Sequence, residues 1–202
     1  MIRTALAFLL LAGLTRAGEP PYPLFYTDPS PFLGAYEKIA GTPVLEQRIA
    51  AVTVPHHLLA SEVIARPLRM ASGGKYERII ILTPDHWKRS TTTVATTTRD
   101  FITPLGIIRS DRAAAATLLE HPIVSRSNLF SHEHGVQAIL PFLAREFPGV
   151  PVLAVAIDVR SKPSHWRSLT GALRPLFTNE TLLIQSTDFS HYLSACLLYT
   201  SD

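Results

Sequence analysis

The chain has very little cysteine: Cys196 is the only one among 202 residues. One cysteine excludes an internal disulfide and the multi-cysteine cluster of a structural zinc module. Glycine- or serine-rich linkers, internal repeats and low-complexity blocks are absent as well, which excludes a two-domain chain joined by a flexible linker and a repeat architecture. Only 17% of the residues are charged and 47% are hydrophobic, so the sequence predicts one globular domain with a sizeable core.

Long hydrophobic runs are also scarce, and the one that is present lies at the N-terminus. Arg3 precedes an apolar run over 5–14, and small residues lead up to Ala17. These zones are typical of a secretory signal, so we expect residues 1–17 to be a signal peptide and the protein to be exported, either periplasmic or secreted. The run is about half of the roughly 20 residues that span a bilayer, which makes an uncleaved membrane anchor the less favoured alternative.

The chain has little excess charge of either sign. Its formal net charge is +3, and removal of Arg3 and Arg16 with the signal peptide lowers it to +1. A nucleic-acid-binding surface normally shows a marked basic excess, so we expect no nucleic-acid partner. The partner expected instead is a small-molecule substrate or another protein, whose identity the sequence leaves open.

β-like and helix-like segments alternate from residue 47 onward. The strands are rich in Ile, Val and Leu, which predicts an α/β fold with a mainly parallel or mixed sheet and helices on both faces. We predict strands at 49–55, 77–83, 92–97, 151–157 and 181–187, with helices at 32–38, 58–72, 110–120, 135–146 and 161–176.

The predicted domain boundaries follow from the two ends of this pattern. A single domain is expected over 18–192, with an ordered connection at 104–108. Residues 193–202 follow the last strand without a turn signal or a closing element of the sheet. We therefore interpret 193–202 as a non-native tail and the domain as truncated at its C-terminus.

Four histidines follow or flank the apolar segments: His56, His86, His134 and His191. Neutral imidazole is the commonest metal ligand in proteins, and ligands of α/β sheets collect at the carboxyl ends of the strands. The pattern predicts one shared site for the four side chains. His57 is left out, because adjacent residues leaving a strand tend to point apart.

Residues beside these histidines suggest supporting roles. Asp85 fits either a turn cap or a carboxylate that orients an imidazole, and Trp87 fits a pocket wall. Glu133 suits the start of a helix, where Gln137 would share a face with the preceding histidine. Asp188 fits an acid–base pair with the histidine three residues later.

Two hydrolase patterns are disfavoured by spacing. The His-Glu-His sequence at 132–134 lacks the two residues that separate glutamate from the second histidine in a zinc-protease helix. Ser186 and Ser190 lie near an acid and a histidine, but no Gly-x-Ser-x-Gly turn is present to expose a serine nucleophile.

The chain resembles the Memo-like family, also called AmmeMemoRadiSam system protein B, in the order and spacing of its motifs. The matching segments are 25–29, 54–56, 81–86, 133–143 and 186–192. The resemblance implies an α/β fold like that of class III extradiol ring-cleaving dioxygenases. It also implies a pocket that binds iron or copper, with zinc less favoured, through two histidines and a C-terminal cysteine.

Carried over by motif, the family's metal ligands fall on His56 and His86. His134, Asp188 and His191 are then the pocket residues with a catalytic role. The chain departs from the family pattern at Gln137, where the family has an acid. Cys196 is too close to the last motif to correspond to the family's cysteine ligand.

Three functions remain open at this point. The first is a metal-dependent oxidoreductase, in which substrate and O₂ bind at open metal positions and His134 or His191 moves protons. The second is a metal-handling or partner protein without turnover. The third is a hydrolase in which the metal activates water.

Overall fold

The computed structural model describes residues 19–188 of the chain. The predicted signal peptide, the predicted tail at 193–202, and residues His191 and Cys196 therefore lie outside the described residues. None of the helices within residues 19–188 combines the length and the hydropathy that a membrane span requires.

A six-stranded mixed sheet forms the centre of the molecule, with strand order β1-β8-β2-β7-β3-β6. All neighbouring strands in it are parallel except β3 and β7. The predicted α/β fold with a mixed sheet is confirmed. The eight strands, including a separate hairpin of β4 and β5, are β1 Ala51–Val54, β2 Arg78–Asp85, β3 Val94–Thr96, β4 Phe101–Thr103, β5 Gly106–Ile108, β6 Val124–Arg126, β7 Val152–Asp158 and β8 Thr181–Ser186.

Helices cover both faces of the sheet, as the sequence predicts. Along β2, Ile79 and Ile81 pack into a core with α1, α2, α4 and α5, whereas Ile80 packs into a second core with α3 and α6. This alternation is the two-residue period of a strand buried on both sides. The helices are α1 Ser30–Lys38, α2 Ser61–Ala71, α3 Arg112–Leu119, α4 His134–Gln137, α5 Leu140–Glu146 and α6 Pro163–Leu173.

The single helix predicted at 135–146 is instead two helices, α4 and α5. Pro141 explains the break, because proline has no N–H to donate and its ring clashes with the carbonyl four residues earlier, at Gln137. That residue is the last of α4.

The connection predicted at 104–108 contains a strand, because β4 and β5 form an antiparallel hairpin. Gly106 closes its two-residue loop with φ of 145°, a conformation that favours glycine. β4 and β6 are the other strands that the sequence pattern missed, and each has three residues, too few to show an alternation.

The strand order determines where the histidines meet. β1, β8 and β2 are parallel neighbours, so their carboxyl ends lie along the same edge of the sheet. The segments that follow these strands carry His56, Asp188 and His86. The short helix α4 packs beside β2 and brings His134 to the same edge.

Candidate metal centre

Three imidazoles converge at the carboxyl edge of the sheet. The ring centroids of His86 and His134 are 4.1 Å apart, and those of His56 lie 4.7 Å from His86 and 4.9 Å from His134. One ring nitrogen from each residue lies within 4.8 Å of the other two. The structure therefore places three of the four predicted histidines in one group that is able to hold a metal ion, while His191 lies outside the described residues.

His56 is the most deeply buried member of the group, with 1% of its surface exposed. Its Nδ1 lies 3.0 Å from the hydroxyl oxygen of Ser186, the last residue of β8. That hydroxyl donates to the carbonyl oxygen of Gly135 at 2.5 Å. One ring nitrogen of His56 is thus fixed by the protein, and the other, Nε2, faces the group.

His86 is fixed in the same manner by a buried carboxylate. Its Nδ1 lies 2.6 Å from Glu133 Oε1, and its backbone N–H donates to Glu133 Oε2 at 3.1 Å. Glu133 also accepts from the N–H of Gly135 at 3.0 Å, which caps the start of α4. The carboxylate has no solvent exposure, so these three donors replace the water that it loses on burial.

Asp188 adds an acidic group beside the imidazoles. Its Oδ1 lies 2.9 Å from His56 Nε2 and 3.1 Å from His57 Nε2, and its Oδ2 lies 3.9 Å from His86 Nε2. His56, His57 and Asp188 make up a second group of donor atoms within 4.8 Å of one another. The expectation that His57 points away from His56 is wrong, because β1 ends at Val54 and the alternation of a strand no longer applies there.

Burial and neighbouring charges give the three imidazoles different proton affinities. Burial lowers the pKa of His56 to about 4, although the charge of Asp188 opposes this. Burial and the adjacent His86 likewise lower the pKa of His134. Burial would lower the pKa of His86 too, but the hydrogen bond and charge of Glu133 outweigh it and raise that pKa. His56 and His134 therefore remain neutral at pH 7, as metal ligation requires.

Gly135 allows the helix to approach the sheet this closely. A Cβ atom at this position would overlap Thr83 Oγ1 on β2 and lie 3.2 Å from His86 Cε1. Only glycine therefore permits α4 to pack against β2 at this distance. The same residue contacts both Glu133 and Ser186 through its backbone.

Other residues near the predicted site have mainly structural contacts. Asp85 caps a turn through the N–H and hydroxyl of Ser90, so its carboxylate is not the one that orients His86. Trp87 is 54% exposed, and its ring centroid lies 6.2 Å from that of His134, at the rim of the group. Gln137 is buried and donates to the backbone carbonyl of Phe130.

The sequence signal for the supporting residues was weak. The sequence pattern predicts Glu133 only as a helix-start residue and Ser186 only as a possible nucleophile. Each of these two roles involves only residues nearby in sequence. The contacts that Glu133 and Ser186 make in the structure instead connect α4 with β2 and β8. A serine or glutamate next to a strand or helix end carries no pattern that shows such contacts.

Comparison with known proteins identifies the family. The family model described as Memo-like protein matches residues 27–196. The chain belongs to this family. Every residue of the two donor groups lies within the matched range, as do Glu133, Gly135 and Ser186.

Relatives from archaea and bacteria share this Memo-like assignment. A MEMO1 family protein of Methanopyrus kandleri is 29% identical over 71% of the chain and 54% of its own length. One from Pyrococcus horikoshii is 27% identical over 79% of the chain and 59% of its own length. One from Thermotoga petrophila is 27% identical over 62% of the chain and 46% of its own length. The chain thus spans about half the length of the curated relatives that it matches.

The donor atoms of this Memo-like chain suit a bound metal ion. His56 Nε2 is buried and, among residues 19–188, has no partner with hydrogen-bond geometry, although Asp188 Oδ1 is 2.9 Å away. Two donors that bind one ion at about 2.1 Å, at angles of roughly 90–110°, are themselves about 3.0–3.4 Å apart. The spacing of these two atoms is close to that range. Imidazole nitrogen suits iron, copper and zinc alike.

Proposed function

We propose that this Memo-like protein binds an iron or copper ion through His56 and His86. The observation that supports the proposal is that in both imidazoles Nδ1 lies on a fixed partner and Nε2 lies within 4 Å of the same carboxylate, that of Asp188. His134 completes the three-nitrogen group. When bound, the ion would supply one-electron chemistry and a position for substrate, which makes a metal-dependent oxidoreductase the activity that we favour.

The residues around the ligands have roles in this proposal that follow from their contacts. Asp188 lies against His56 and His57, so it stabilises positive charge at this edge and is placed to accept a proton. His134, whose pKa is lowered, offers a neutral nitrogen either to the ion or to a proton from substrate. Trp87, which donates to the backbone carbonyl of His132, forms one wall of the approach to the group.

Metal titration tests the proposal. Metal-free protein titrated by calorimetry with Fe²⁺ under anaerobic conditions, with Cu²⁺ and with Zn²⁺ is expected to bind one ion per chain. His56→Ala and His86→Ala each remove one of the ligand nitrogens, so each is expected to abolish measurable binding of the preferred ion.

His121→Ala is the matched control, because His121 contacts Ser168 on α6 rather than the metal-binding group. It is expected to bind metal as the wild type does. Equal affinity in the wild type, His56→Ala and His86→Ala would contradict the proposal. Tightest binding of Zn²⁺ would keep the site but favour the hydrolase alternative over the oxidoreductase.

A further inference from the structure

The two proposed ligands share a feature that metal binding alone does not require. In each imidazole, Nδ1 contacts a buried acceptor and Nε2 faces the group. The acceptors differ chemically, since one is the hydroxyl of Ser186 and the other is the carboxylate of Glu133. Which nitrogen carries the proton decides whether Nε2 presents a lone pair or an N–H.

The hydrogen bonds of Ser186 determine the tautomer of His56. A serine hydroxyl has one proton to donate and two lone pairs that accept. Ser186 donates its proton to the carbonyl oxygen of Gly135 at 2.5 Å, and a carbonyl oxygen only accepts. The hydroxyl therefore accepts from His56 Nδ1, so that nitrogen carries the proton and Nε2 presents a lone pair.

Glu133 determines the tautomer of His86 in the same sense. Both carboxylate oxygens of Glu133 already accept backbone N–H groups, so in the 2.6 Å contact the proton is assigned to His86 Nδ1, which donates to Oε1. The carboxylate itself is held by the backbone N–H groups of His86 and Gly135. Nε2 of the neutral His86 ring therefore presents a lone pair to the same space as Nε2 of His56.

Gly135 links the two hydrogen-bond systems. Its N–H donates to Glu133 and its carbonyl accepts from Ser186, so one residue of α4 connects to both acceptors. The overlap of any Cβ with Thr83 Oγ1 keeps this backbone against β2. Displacement of this residue would disturb both acceptors, and with them the orientation of both imidazoles.

We propose that Glu133 and Ser186 are positioning residues, joined through the backbone of Gly135, that hold His86 and His56 in the Nδ1–H tautomer with both Nε2 lone pairs facing one metal ion. This inference rests on the proposed function in one respect, namely that the ligand facing the two Nε2 atoms is a metal ion. The tautomers themselves are a property of the metal-free protein and are measured without a metal.

Long-range ¹H–¹⁵N NMR of the ¹⁵N-labelled, metal-free chain at mildly alkaline pH reports the protonated nitrogen of each neutral histidine. The wild type is expected to show the Nδ1–H tautomer for both His56 and His86. Ser186→Ala should allow His56 to populate both tautomers. Ser186→Thr, which keeps a hydroxyl, should retain the Nδ1–H tautomer of the wild type. Glu133→Met is of similar length but offers only a weak thioether acceptor, so His86 should populate both tautomers.

Two variants serve as matched controls. Ser125→Ala removes a hydroxyl on β6, the edge strand at the other end of the sheet from β1, that accepts from two threonines. Glu146→Met removes a largely covered carboxylate that pairs with Arg69 on α2. Both controls should leave the two tautomers unchanged. An Nε2–H tautomer of either His56 or His86 in the wild type would overturn the inference. This observation needs no variant.

Metal titration of the same proteins separates this inference from the proposed function. Ser186→Ala and Glu133→Met are expected to lower affinity for the ion by about 10- to 100-fold, the usual effect of losing a residue that orients a ligand. Nδ1–H tautomers in a wild type that binds no metal would support the positioning roles and refute the proposed function. Metal binding in a wild type that has Nε2–H tautomers would support the proposed function and refute the positioning roles.

Discussion

Gly135→Ala is expected to lower the free energy of unfolding by about 3 kcal/mol, the upper end of the range for inserting one methyl group into a packed site. The same change is expected to weaken metal binding. The new Cβ overlaps Thr83 Oγ1 and crowds His86 Cε1. Moving α4 away from β2 to relieve this overlap would break the Ser186 hydrogen bond to the Gly135 carbonyl and draw Glu133 away from His86. Chemical denaturation of the metal-free protein measures the first effect, and calorimetry measures the second.

Gly171→Ala is the matched control, because a Cβ at that position in α6 meets nothing within 4 Å. Replacing a glycine inside an exposed helix should raise stability by about 0.5–1 kcal/mol. Adding Thr83→Ala to Gly135→Ala removes the overlapping oxygen and should recover part of the loss. Equal effects of Gly135→Ala and Gly171→Ala would show that close packing of α4 on β2 is not what Gly135 provides.

Acid is expected to destabilise the metal-free protein between about pH 6.5 and pH 4, because His56 is buried in its neutral form. Its pKa is about 4 in the folded chain, against 6.5 for the free side chain. In this range the unfolded chain binds the proton and the folded chain does not, so stability falls as pH falls. Each pKa unit corresponds to about 1.4 kcal/mol, so the full effect is about 3 kcal/mol.

The other imidazoles affect this profile in ways that the structure distinguishes. His134, whose pKa is also lowered, adds to the loss in the same direction. His86 has a raised pKa, so it stabilises the folded chain fully below pH 6.5. That stabilisation is lost only as the pH rises through the raised pKa. Denaturation of wild type and His56→Gln between pH 4 and pH 8 measures the difference. A wild-type profile as flat as that of His56→Gln would contradict burial of a neutral His56.

The parts of the fold that depend on one segment at a time, such as the central strands and the α/β class, were predictable from the sequence. The strands around Ile81 and Ala154 are continuous apolar runs, and such runs between helix-like segments are typical of a sheet covered on both faces. The antiparallel direction of β3 and the hairpin of β4 and β5 were not predictable. They depend on which strands become neighbours, and short strands carry no local signal of that choice.

The candidate site was predictable in its ligands more than in its supporting residues. His56 and His86 follow long apolar strands, and the parallel pairing of β1, β8 and β2 brings those strand ends together. The orientation of His57 depends on the turn after Val54, which no periodicity describes. The contacts of Glu133 and Ser186 depend on how closely α4 packs on β2, a tertiary distance that the sequence pattern does not encode.

The position of a bound metal ion tests the central claim most directly. Crystals of the protein soaked in the preferred ion, measured at its absorption edge, would show that position as a peak in the anomalous difference map. The account predicts one peak per chain, about 2 Å from Nε2 of both His56 and His86. A peak bound to other residues, or ligation of His56 and His86 through Nδ1, would contradict it.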